Sequence, residues 1–328
     1  MADRTLTIGT GKDYTTIAGW EAVVNRTTYD DEYGQIQENK NFAENVTINP
    51  ATGNGGRVVL TVADAYAHDG TKASGARNVV ASGAAIRVQT VDVTIEKLEA
   101  SASASAAFEC SVGYDGILID RCIAYDSYSG FYLRPDAGEE NNVTNCFAFD
   151  CTYNGFYFQF TDGGTIYASY CTAYNNDKGF RNRHTHASKV AYANGCVALG
   201  NTTNQDWYLE DSGTWTGGDY NVSGTSSDSS CPGANSDEGN ETASGYFTDI
   251  STPTDPDLHK ASGKDGSLDG GPTTGLGTYW PGGDIDGDTR SDWDLGADEI
   301  AAGAGGVTAG PLVNSIRLKS LVGGGLVG

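Results

Sequence analysis

The sequence predicts an all-β fold, a single-stranded right-handed parallel β-helix (β-solenoid) with 24–25 residues per coil, and three observations carry that prediction. One pattern recurs four times, as Arg121-Cys122-Ile123-Ala124-Tyr125, Asn145-Cys146-Phe147-Ala148-Phe149, Tyr170-Cys171-Thr172-Ala173-Tyr174 and Gly195-Cys196-Val197-Ala198-Leu199, with cysteines 24, 25 and 25 residues apart. A second pattern keeps step with it: Gly130-Phe131-Tyr132, Gly155-Phe156-Tyr157 and Gly179-Phe180-Arg181. The copies have no helical apolar period, and Thr, Tyr, Phe, Val and Asn between glycine-containing corners favour short strands. A fixed period of this size marks units that cannot bury an apolar face alone and gain stability by stacking.

The repeat continues weakly on both sides. Leu98-Glu99-Ala100 precedes it and Asn221-Val222-Ser223 follows it in register, and Val46–Ile48, Val58–Val62, Ile86–Val88 and Val93–Ile95 read as further coil strands. About eight coils over residues 35–224 would make a rod roughly 40 Å long at the inter-strand spacing. Residues 1–34 are expected to cap it, with a strand from Thr5 to Ile8, a Gly-rich turn, and a helix from about Thr15 to Val24 that closes the first coil with Ile17 and Trp20. Open solenoid ends need such covers, because an unpaired strand edge templates aggregation. Gly9 and Gly11 in that turn lack the Lys-Ser/Thr ending of a phosphate loop. Residues 225–300 lose the repeat and read as an irregular acidic closure, and 301–328 as a Gly-rich linker with a docking tail.

Charge narrows the partners. A formal charge of −23 argues against nucleic acid and anionic membrane surfaces, and no run approaches the 18 apolar residues of a membrane span. Met1-Ala2-Asp3-Arg4 leads directly into the first strand without a basic or apolar leader, so folding in a cytosol is expected. The seven cysteines fit that compartment. Cys122, Cys146, Cys171 and Cys196 read as small buried hydrophobes stacked in a column, because parallel Cβ vectors give poor S–S geometry.

The strand-turn-helix opening resembles the start of many right-handed parallel β-helix proteins of the pectate-lyase-like superfamily. The string Asp284-Ile285-Asp286-Gly287-Asp288-Thr289-Arg290, followed by Asp292-Trp293-Asp294-Leu295-Gly296-Ala297-Asp298-Glu299, resembles the terminal segment of bacterial and phage parallel β-helix proteins of unknown function. Together these resemblances cover roughly residues 4–300.

They imply polysaccharide chemistry as a class to test. Arg181-Asn182-Arg183-His184-Thr185-His186, with Lys189 near, is the basic cluster a lyase would need, and His184 and His186 would share a strand face. A solvated turn is the preferred reading. Asp126 and Asp150 stack one coil apart as a glycosidase pair would require, yet with Asn175 they read better as a corner ladder. Asp284, Asp286 and Asp288 alternate like the first ligands of a Ca²⁺ loop. Leu295 occupies the place of the bidentate Glu, which favours a tight turn over a metal site. No catalytic residue is assigned and no other cofactor is expected.

If Cys and Ala point inward, alternation sends Ile123, Phe147, Thr172 and Val197, with Tyr125, Phe149, Tyr174 and Leu199, to the opposite face. Two such columns would form an apolar patch for a symmetric partner or for sugar rings, unless the chain's own loops fold over it. Pro311 to Val322 is apolar and basic, and Leu312, Val313, Ile316, Leu318, Leu321 and Val322 would dock it on a capsid or a neighbouring subunit. The expected role is a phage virion structural protein, a homo-oligomeric capsid decoration, head fibre or spike, made in the host cytoplasm and extracellular after lysis. Two alternatives stay open: a polysaccharide lyase or glycosidase tailspike, and a self-assembling extracellular filament subunit.

Overall fold

A computed structural model describes residues 3–24, 29–50, 56–184, 189–202, 205–224, 230–233, 237–238, 242–251, 256–261, 284–286 and 296–297. Among them the chain winds as a right-handed parallel β-helix whose coils build three parallel sheets of nine, eight and seven strands. One coil shows the plan. Ile117–Asp120 lies in the first sheet, Ile123–Tyr125 in the second and Ser129–Leu133 in the third, before Glu140–Thr144 returns to the first. Register is strict: Ile123, Ala124 and Tyr125 pair with Phe147, Ala148 and Phe149 of the next coil, and those with Thr172, Ala173 and Tyr174.

The repeated residues explain the corners. Each three-residue strand of the second sheet is bounded by left-handed backbone, at Arg121, Asn145, Tyr170 and Gly195 before it and at Asp126, Asp150, Asn175 and Gly200 after it, with φ between 47° and 67°. Asp, Asn and Gly tolerate that region best. The corner ladder expected for Asp126, Asp150 and Asn175 is therefore present, with Asn175 donating to Asp150. The next position is tied coil to coil, as Asn201 Oδ1 accepts from Asn176 N at 3.0 Å and Asn176 Oδ1 from Cys151 N at 3.0 Å.

Each repeat residue then has a packing role. Gly155 is required where backbones close up, since a Cβ there would meet Gly179 O at 2.9 Å and Ala148 Cβ at 3.3 Å. Phe108, Phe131, Phe156, Phe180 and Trp207 form one inward stack with successive ring centroids 5.0, 4.8, 4.6 and 4.5 Å apart. All seven cysteines are buried and unbridged. Cys146 Sγ accepts from Cys122 N at 3.4 Å, and Asn221 Oδ1 takes the same role for Cys196 N at 2.9 Å. Burial pushes the thiols of Cys146 and Cys196 well above their ordinary range.

At the first end the strand Arg4–Ile8 already belongs to the nine-stranded sheet, paired with Glu32–Ile36, so cap and first coil are one structure. The helix runs only Ile17–Glu21, shorter than expected. Thr16 caps it and Glu44 accepts from Ile17 N at 2.7 Å. Gly19 within it, and Val23-Val24 after it, are weak helix formers. Trp20 is fully buried over Gly34, where a Cβ would fall 2.3 Å from the indole.

The second-sheet columns correct an expectation. Ile123, Phe147, Tyr125, Phe149 and Tyr174 are buried, none more than 6 % exposed, so they offer no open interface. Tyr246, Phe247, Leu258, Ile285 and Ala297 of the same chain pack over them as a second core. That cover is a short helix, Ala243–Tyr246, an antiparallel pair, Phe247–Asp249 with Asp257–Lys260, and two short segments: 296–297, pinned by Gly296 N to Gly195 O at 2.7 Å and Ala297 N to Thr172 Oγ1 at 3.0 Å, and 284–286, held by Ile285 N to Ala297 O at 2.8 Å. The closure thus lies along the rod's side. Removing such a face from water stabilises by about 25 cal/mol per Å² of apolar surface, which is why the chain covers it.

Glu99 sits beside this cover, fully buried, accepting from Ala73 N and Gly75 N at 2.6 Å each. Burial pushes its carboxyl up from 4.5 to about 7, against the pull of those two N–H donors. The folded chain therefore holds this proton more tightly than the unfolded one, so Glu99's contribution to stability is present below pH 4.5 and is lost as pH rises to about 7. In Glu99→Gln that slope should vanish from a stability-versus-pH series. One N–H also loses its acceptor, at a cost of about 1–3 kcal/mol. Denaturant melts across that range check both.

Candidate functional site: a tyrosine-lined groove on the third sheet

Outward positions of the third sheet follow from the same repeat. In Gly-Phe-Tyr the phenylalanine turns inward, and strand alternation turns the third residue to solvent. Register aligns Glu109, Tyr132, Tyr157, Arg181 and Tyr208 in one row. Tyr128 and Tyr153, at the sheet's leading edge, form a second row with centroids 5.1 Å apart. Between the rows runs a groove of about 480 Å³ whose lining includes Tyr128, Tyr132, Tyr153, Tyr157, Glu109 and Gln159. The lining rises from Ala104 to Arg183, across four coils.

Its wall is rigid. Tyr132 and Tyr157 stack 4.8 Å apart and nearly parallel, and the Tyr132 hydroxyl donates to Gln159. The Arg181 guanidinium packs on Tyr157 at 4.4 Å and on Tyr153 at 4.7 Å. Tyr128 is 48 % exposed and ends its row, because Ala104 and Ser105 stand a coil below where a ring would otherwise cover it. Glu109 at the lower end accepts from Arg87 at 2.9 Å and Arg134 at 2.6 Å. At the upper end Arg181 binds Glu210, and Arg183 binds Asp211 at 2.8 Å. One exposed tyrosine ring beside partly buried ones, paired guanidinium and carboxylate groups, and an amide can together hold a flat, hydroxyl-rich ligand.

The other candidates separate. Arg181 and Arg183 reach the groove, whereas His184 points inward, fully buried with its ring against Phe160. Burial pushes its imidazole down to about 3, so it stays neutral and is unsuited to proton transfer at the surface. His186 lies outside the described residues. Lys189 donates to Ser212 O. Asp126 pairs with Lys72 at 2.8 Å and Asp150 with Asn175, both at backbone corners, as the ladder reading expects.

Asp284 is buried and accepts from Asp286 N at 3.1 Å, while Asp286 pairs with His259 at 3.2 Å. Asp288, and the tail residues Leu312, Val313, Ile316, Leu318, Leu321 and Val322, lie outside the described residues. Among the described residues no group of three His, Cys, Asp or Glu side chains is arranged to hold a metal ion.

Sequence reading missed the groove itself. The Gly-Phe-Tyr repeat was visible, but Tyr132 and Tyr157 become a wall only once Phe131 and Phe156 are known to turn inward. Glu109 and Gln159 carry no repeat signal.

The fold and groove define a class, a parallel β-helix with a ligand-sized groove along one face. No family model matches the chain, and no curated protein matches it. A solved structure, that of pectate lyase Pel9A, is similar over 91% of this chain and 97% of its own, with 14% sequence identity and a TM-score of 0.39. At that level nothing about substrate or chemistry carries over.

Proposed function

We propose that this chain is a structural, glycan-binding rod of the kind displayed on a virion, as a decoration, head-fibre or spike protein, and that it does not cleave the glycan it holds. The observation that carries the glycan reading is the groove, with two tyrosine rows flanked by guanidinium, carboxylate and amide groups. Hydrolysis would need two carboxylates about 5–10 Å apart across the ligand. Among the described residues Glu109 is the single carboxylate lining the groove, and Glu210 stands four strand steps further along the sheet, roughly 19 Å away at the usual spacing. The virion reading is supported by an unbridged cysteine column and by an apolar, basic tail on a chain of charge −23.

Since the second-sheet columns are covered by the chain itself, the oligomer is assigned to the tail, through Leu312, Val313, Ile316, Leu318, Leu321 and Val322. Light scattering of the full chain and of a chain ending at Ile300 tests this. A fall to monomer mass on truncation is expected, and equal masses would remove the tail from the interface. Incubation with polysaccharides should give bound, intact polymer. New reducing ends or unsaturated products, released in proportion to protein, would replace the binding reading with an enzymatic one.

A further inference from the structure

We infer that the groove selects neutral glycan chains over uronate-bearing or sulfated ones; this rests on the glycan-binding reading above. A groove lined by Arg181 and Arg183, with Arg87, Arg134 and Lys178 beside it, looks at first like a trap for anions. Every one of those cations already holds a carboxylate of this chain. Arg87 and Arg134 share Glu109, Arg181 and Arg183 share Glu210, Arg183 also holds Asp211, and Lys178 holds Asp177 at 2.6 Å. Five cations thus face four carboxylates.

An anionic sugar at Arg181 or Arg183 would lie against Glu210 and Asp211, whose carboxylates already offset both guanidinium charges and would repel it. Pairs of this kind suit hydroxyl groups, which donate to the carboxylate and accept from the guanidinium at once. The Tyr132 hydroxyl with Gln159 adds another donor and acceptor in the same wall. The rest of the molecule acts in the same direction, because a net charge of −23 repels polyanions during encounter.

Geometry sets the length. From the strand of Glu109 to that of Arg181 is three strand steps, roughly 14 Å, about three pyranose rings laid along the rod axis. The exposed face of Tyr128, with only Ala104 and Ser105 below it, offers the stacking surface for the terminal ring.

Calorimetry and retention on immobilised polymer test this with full-length protein. The probes are neutral glucans, mannans and galactans, beside polygalacturonate, alginate and a sulfated galactan. A neutral chain should bind with affinity that changes less than about twofold between low and high salt, since little counterion screening is involved. Tyr128→Ala and Tyr157→Ala should each weaken it at least about tenfold. Glu210→Gln with Asp211→Asn, which frees both guanidinium groups, should give uronate binding that the parent chain lacks. Uronate preferred by the parent chain and weakened by salt would overturn the neutral selectivity while leaving the groove as a glycan site. Binding of no probe, or binding unmoved by both tyrosine variants, would overturn the glycan reading itself.

Discussion

Phe156→Ala is expected to lower the stability of the rod by about 3–5 kcal/mol, the usual cost of truncating a fully buried phenylalanine. Its ring is the middle of five, with Phe131 at 4.8 Å and Phe180 at 4.6 Å on its two faces. Collapse into the gap is restricted, because neighbouring backbones are held at strand spacing by parallel pairing on both sides. In a solenoid each coil contacts its neighbours and little else, so the damage should be local before it is global. Hydrogen exchange should show lost protection in Ser129–Leu133, Asn154–Phe160 and Lys178–His184 first, with a fall of roughly 10 °C in the thermal midpoint. A loss under about 1 kcal/mol would mean that the stack is not a cooperative core.

Ending the chain at Gly224 should have the other large effect, and it should be visible as association. Ile123, Phe147, Phe149, Tyr174, Val197 and Leu199 are buried because Tyr246, Phe247, Leu258, Ile285 and Ala297 cover them. Without that cover the second sheet presents a continuous apolar stripe, larger than soluble monomers expose. The truncated chain should bind hydrophobic dyes and precipitate or self-associate. Leu258→Asp makes the same point without truncation: it places an unpaired carboxylate where Leu258 is 1 % exposed, and should cost several kcal/mol. A truncated chain that stays a dye-silent monomer would show that the face is not held by this cover.

The two variants probe different kinds of knowledge. The Phe156 stack is legible in the repeat, since Phe131, Phe156 and Phe180 recur in register with Gly before them. The cover over Ile123 and Phe147 is not. Tyr246, Leu258 and Ile285 come from a stretch with no period, and nothing in their spacing says which face they meet. Alternation alone placed Ile123 and Tyr125 on the outer side of their strand, which is where they are. It could not say that a second layer lies outside them, so the expected interface became an internal core. His184 fails for a related reason: its strand could be phased either way, and only its complete burial, with the ring edge-on to Phe160, settles it as inward.

By itself, then, the sequence determined the solenoid, its 24–25 residue coil, the stacking of cysteine, alanine and phenylalanine as columns of like residues, and the Asp/Asn corners at Asp126, Asp150 and Asn175. Those features repeat, and parallel stacking makes each repeated residue its own neighbour, so sequence spacing converts directly into contact. Only the tertiary structure decided the cover on the second sheet and the groove on the third. Both join residues that occur once, such as Leu258 against Tyr125's column or Glu109 between Arg87 and Arg134, and such pairings are set by where the chain returns in space and not by any period along it.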